Sequence, residues 1–150
     1  ELDDIHQLVE CGNANMDAIL NSKLSLAVAQ GIEIHVKANV PEQIAVGDTD
    51  MCALLGNLVD NALEACAKVK EHPFLRLYIG LYKGQLYISC TNATSEVVRK
   101  LDEEYVTTKR GNHGHGLKRM NRIIEKYGGF IQRKNEPGVF ITEIMLPLQV

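Results

Sequence analysis

The sequence has no excess of positive charge. Its 16 Lys and Arg stand against 19 Asp and Glu, a net charge of −3. A weakly acidic protein is not drawn to polyanions, so neither a nucleic-acid interface nor contact with an anionic membrane is expected. No apolar run approaches the roughly 20 residues that a helix needs to cross a bilayer. The opening Glu1-Leu2-Asp3-Asp4 is acidic where a secretion signal is basic, and it lacks a methionine. A fragment of a longer protein is the expectation. None of the four cysteines, Cys11, Cys52, Cys66 and Cys90, stands in a C-x-x-C pair. That argues against a zinc site and for thiols buried in a reducing compartment. There is no internal repeat and no low-complexity segment.

What is present suits one compact soluble domain: 150 residues, 45% apolar and 23% charged. Met16, Ile19, Leu20, Leu24, Ala27 and Val28 recur at helical spacing. A break is expected at Gly12-Asn13, with Asn13 or Asn15 as cap and Gly31 as stop. Ile32, Ile34 and Val36 alternate as in a half-buried strand, which Pro41 ends. Asp48 is the expected cap of a second helix running to about Val69. Strands follow over 74–82 and 85–91, with a turn at Lys83-Gly84. Residues 92–111 read as a loop with a short helix inside. A third helix spans about 116–127, before a hairpin around Glu136-Pro137-Gly138. Two hairpins without crossover helices disfavour a doubly wound parallel sheet. The expected fold is α+β: a two-layer sandwich of one mixed sheet with about three helices on one face.

Three segments carry candidate chemistry. Asn57 and Asn61 are four residues apart, so they stack on one helix face, with Asp60 and Glu64 flanking them. Amide oxygens held this way are hard ligands suited to magnesium, which shares its shell with water and phosphate. Taken alone, the same pattern is the solvated side of a helix. Gly111-Asn112-His113-Gly114-His115-Gly116-Leu117 enters a helix. Glycines admit close approach to the backbone, and free amides at a helix start favour phosphate. Taken alone, this is a flexible connection; it is neither a P-loop nor a dinucleotide fingerprint. His113 and His115 lack a third ligand at suitable spacing, so they read as loop histidines. Asn92 ends a strand, which is common for asparagine.

Together these segments resemble the ATPase superfamily shared by gyrase, heat-shock chaperones, histidine kinases and mismatch-repair proteins, the GHKL or Bergerat-type proteins. Asn57 to Ala65 looks like its N box and Gly111 to Leu117 like its second glycine box. Over nearly the whole chain the resemblance is nearest to bacterial sensor histidine kinases of the peptide quorum-sensing branch. Residues 12–23 resemble the segment leading out of the dimerisation helices. The resemblance implies a helical linker over 1–30 and an ATP-binding catalytic domain over 31–150. It implies ATP and magnesium as cofactors, with Asn61 binding the metal and Asn57 as a second or water-mediated contact. Glu64, Gly114, His115, Gly116 and the amide of Leu117 fall at the nucleotide, and a lid over 94–111 brings Thr108 and Lys109 near it. Asn92-Ala93-Thr94 stands where most of the superfamily has an Asp-x-Gly-x-Gly box. Asn92 is then the group whose carbonyl accepts from the adenine amino group.

The implied reaction is transfer of the γ-phosphoryl group to a histidine on a dimerisation domain outside this chain, with a response regulator as the next partner. His6 is not in an acceptor motif and reads as incidental. The implied location is the cytoplasmic side of a membrane-bound receptor. Three alternatives stand beside this reading: a degenerate nucleotide pocket serving as an interaction scaffold, a gyrase-like ATPase, and a serine kinase of the anti-sigma type. Asn57 argues against the ATPase, because the hydrolases carry a glutamate there to activate water.

Overall fold

A computed structural model describes residues 8–95 and 112–148, with 112–114 described by their helical backbone. The first helix, α1, spans Ala14–Ala29. Asn13 caps it as expected: its Oδ1 accepts from the Met16 amide at 3.0 Å. Its Nδ2 donates to the Glu42 carbonyl at 3.0 Å, tying the cap to the loop after β1. At the other end the Ile32 amide donates to Ala27 O and the Gly31 amide to Val28 O. Gly31 has φ +83, a left-handed turn that glycine adopts without penalty.

Strand β1 (Glu33–Ala38) leads to helix α2 (Asp48–Cys66). Helix α2 stops three residues short of the expected end. Its N-cap is Gly47, not Asp48, and no side chain caps it locally. A tertiary contact replaces the cap. The Gly47 amide donates to the Tyr127 hydroxyl at 3.0 Å, and that hydroxyl donates to Asp50 Oδ2 at 2.6 Å. Strands β2 (Phe74–Tyr82) and β3 (Gln85–Ala93) form a hairpin. Its two-residue turn has positive φ at both Lys83 and Gly84, the twist that matches flanking strands. Helix α3 (Asn112–Lys126) and the hairpin β4 (Phe130–Glu136) and β5 (Val139–Pro147) complete the described chain.

The sheet order is β1-β2-β3-β5-β4. The β1–β2 pair is parallel, with α2 in its crossover, and the other pairs are antiparallel. This is the mixed sheet with three described helices that the sequence led us to expect. One core serves both layers. Met16, Leu20 and Leu24 of α1, Leu54 and Leu55 of α2, Met120 of α3, and Leu75, Ile88 and Ile144 of the sheet are all buried within it. The segment from Ala14 onward is therefore packed into the same core as the rest. Among the described residues no helix is long and apolar enough to cross a membrane.

Candidate functional site

Helix α2 brings its polar face to the edge of α3. Asn57 and Asn61 are half-buried one turn apart, and Asp60 and Glu64 are exposed. Asn57 is held from both sides. Its Nδ2 donates to Ala53 O at 2.8 Å, and a Cβ on Gly116 would lie 3.0 Å from its Oδ1. The glycine at 116 thus lets α3 close on the amide of Asn57. This contact joins two segments that are about 60 positions apart in the sequence. Asp60 is turned outward, where Lys23 of α1 meets its carboxylate at 3.0 Å.

Helix α3 begins at Asn112, earlier than the expected start near 116. Gly114, His115, Gly116 and Leu117 therefore lie within the helix rather than in a loop before it. The free amides of a helix belong to its first turn. That first turn comes ahead of Gly116 and Leu117, so the Leu117 amide is inside the helical ladder. His115 is exposed, whereas Gly116 and Leu117 are buried.

A narrow pocket opens between the helices and the inner face of β3, β5 and β4. Leu58, Asn61, Ala62, Leu117 and Met120 form its helical wall, and Cys90, Asn92, Thr94, Thr142, Phe140, Arg133 and Asn135 its sheet wall. Asn92 is 3% exposed. Its Nδ2 donates to Ala93 O at 2.9 Å, which leaves Oδ1 as the acceptor. Burial pushes the Cys90 thiol up to about 12, so it is an inert wall rather than a nucleophile. Asn61 belongs both to this pocket and to an open groove along α2 that includes Asn57, Asp60 and Glu64. It stands where a narrow pocket of mixed lining meets an open groove.

The structure therefore gathers Asn57, Asn61, Asn92, Gly116 and Leu117 around one region, with Glu64 on the adjoining groove. Thr108, Lys109, His6 and the expected lid beyond Ser95 lie outside the described residues. Arg133, Asn135, Phe140 and Thr142 line the pocket and were not expected from the sequence; Thr94, expected as the start of the lid, lines it too. No cluster of three or more His, Cys, Asp or Glu suited to a metal occurs among the described residues. A cation here would draw on neutral amide oxygens and on phosphate, and the half-buried amides of Asn57 and Asn61 fit that requirement.

The described residues thus form a helix-backed mixed sheet with a pocket between α2, α3 and three strands. Residues 47–147 match the GHKL domain, and the chain belongs to that family. It is 26% identical over 144 residues to the sensor histidine kinase NatK of Bacillus subtilis, covering 91% of this chain and 45% of the relative. It is 27% identical over 140 residues to the sensor protein CitS of the same organism, covering 88% and 26%. The chain thus spans less than half the length of these relatives. The catalytic domain of histidine kinase ThkA superimposes with TM-score 0.73 at 21% identity, covering 89% of this chain and 90% of the other. The mycobacterial sensor histidine kinase MprB does so with TM-score 0.68 at 17% identity, covering 89% and 95%.

Proposed function

We propose that this chain is the ATP-binding catalytic domain of a two-component sensor histidine kinase of the peptide quorum-sensing type. Its phosphoacceptor histidine lies on a dimerisation domain of the same protein, and a response regulator receives the phosphoryl group. The observation that carries this reading is the meeting of Asn57 with Gly116 beside the Asn92 pocket. It supports a site in which the base enters between helices and sheet and the phosphates leave along α2. Residues 1–30 lead from the dimerisation region, and the parent protein is a membrane-bound receptor with this domain on the cytoplasmic side.

Phosphoryl transfer rests on positioning and on neutralising charge. Magnesium supplies that neutralisation when bound, and Asn61, with Asn57 beside it, would hold it. The first turn of α3 adds backbone amides and the favourable end of the helix dipole. Thr108 and Lys109, by the family resemblance alone, belong to the same nucleotide site. Asn57 has no carboxylate to take a proton from water, and its Nδ2 is committed to Ala53 O. Hydrolysis is accordingly slow, and γ-phosphoryl transfer awaits a neutral imidazole held in line.

The test is incubation of the chain with γ-labelled ATP and magnesium, alongside calorimetry. Binding, little released phosphate and no acid-labile label on the protein are expected. A separately added dimerisation domain restores transfer weakly, because the tether that raises effective concentration is cut. Rapid phosphate release sensitive to substitution of Asn57 would favour an autonomous ATPase. Absence of nucleotide binding would favour a scaffold.

A further inference from the structure

Strand pairing sets three pocket residues in one row across the sheet. Asn92 of β3 is opposite Phe140 of β5, and Phe140 is opposite Asn135 of β4. Side chains alternate faces along a strand, so this row and the next inward row, Cys90, Thr142 and Arg133, point to the same side. Asn92 and Asn135 are two strands apart, about 10 Å between backbones at ordinary strand spacing, with an aromatic ring between them. The apolar side chains of Leu58, Leu117 and Met120 close the opposite wall.

Asn135 is the anomaly of this row. Its Oδ1 is buried and accepts no hydrogen bond from any described residue. Folded proteins rarely keep a buried acceptor unpaired, because its lost hydration is not repaid. Asn92 has its amide nitrogen committed to Ala93 O. The row therefore presents two amide oxygens and no amide donor from Asn92, on either side of a planar apolar surface. The ligand edge that complements it is an amino group with two hydrogens on a flat ring.

We propose that Asn135 is a second base-reading residue, whose Oδ1 takes one hydrogen of the adenine amino group, directly or through one water spanning the row, while Asn92 Oδ1 accepts the other. This rests on the ATP-binding reading above and extends it to nucleotide choice. Guanine places a carbonyl at the same ring position, where two oxygens oppose it and neither finds a donor. A site built around hydrogen bonds to one group rejects analogues that lack it.

The test compares the chain with Asn135→Leu and Asn135→Ala, using calorimetry with magnesium and either ATP or GTP, and thermal unfolding without nucleotide. The parent chain is expected to prefer ATP. Both variants are expected to lose about tenfold in ATP affinity, the scale of one buried hydrogen bond, with GTP affinity unchanged. Asn135→Leu is expected to unfold no earlier than the parent, since it removes an unpaired buried oxygen. A parent without preference for ATP would overturn the proposal. So would an unchanged ATP-to-GTP ratio in the variants, or equal losses for both nucleotides with early unfolding, which would mark Asn135 as structural. If the parent binds neither nucleotide, the ATP-binding reading falls and this proposal with it. If the parent prefers ATP and the variants keep that preference undiminished, this proposal alone falls.

Discussion

Replacing Gly116 by alanine isolates the contact between α3 and Asn57. The new Cβ would stand 3.0 Å from Asn57 Oδ1 and 3.6 Å from its Cγ, so one side must yield by a few tenths of an ångström. Asn57 resists, because its Nδ2 donates to Ala53 O at 2.8 Å. Breaking that bond costs about 1 kcal/mol. Alanine in a helix gains about 1 kcal/mol over glycine. The two nearly cancel, so Gly116→Ala should leave stability within about 1 kcal/mol of the parent. Binding has no such compensation. If Asn57 and the start of α3 together hold phosphate and metal, a displaced amide should weaken magnesium-ATP binding about tenfold, equivalent to 1.4 kcal/mol. Denaturant unfolding measures the first quantity and calorimetry the second. Unchanged ATP affinity would refute the reasoning. A stability loss well beyond about 1 kcal/mol would show that the contact is ordinary packing.

Three further outcomes are expected. Asn61→Ala should weaken ATP binding only when magnesium is present and leave the fold intact, since the residue is half-buried on the polar face of α2; equal affinities by calorimetry would count against it as a ligand. Asn92→Leu should reduce the preference for ATP over GTP, leaving what Asn135 supplies, and an undiminished preference in competition binding would show that Asn92 does not read the base. Tyr127→Phe should cost about 1 kcal/mol in denaturant unfolding, because the hydroxyl links Gly47 to Asp50. Hydrogen bonds from Lys126 and from Tyr127 hold the Asp50 carboxyl below its usual value of 3.8. The stability from Asp50 is therefore full above about pH 4 and is lost as pH falls through the lowered value. The Tyr127→Phe difference should shrink in that acid range, and a constant difference would break the link to Asp50.

The layers of this fold were legible wherever local chemistry agrees with tertiary structure. Asn13 and Gly31 mark the ends of α1 in sequence and in space, and Lys83-Gly84 marks a turn that can take little other form. The N-cap of α2 was misplaced because Gly47 is satisfied by Tyr127, a partner 80 residues away. The start of α3 was placed late because glycine and histidine are weak helix formers. Packing of Gly116 on Asn57 overrides that preference, and such a contact is not visible in the local sequence.

The pocket's sheet wall was missed for a different reason. Strand β4 reads Phe130-Ile131-Gln132-Arg133-Lys134-Asn135, and its aromatic residue points outward, with Phe130 59% exposed. Arg133 and Asn135 look like solvent-facing residues in such a strand. Only the pairing of β4 through β5 to Asn92 shows that they face the helices. The inner face changes character along its length. At one end Leu86, Ile88, Ile144 and Leu146 are fully buried and apolar, whereas at the other the same strands carry Cys90, Asn92, Phe140 and Thr142. A sheet that had only to pack on helices would gain by continuing the apolar series, since buried polar groups cost free energy unless paired. The switch from apolar to polar falls where the helices leave a pocket. On the ATP-binding reading proposed above, local rules fail there because a ligand, rather than a side chain, completes the layer.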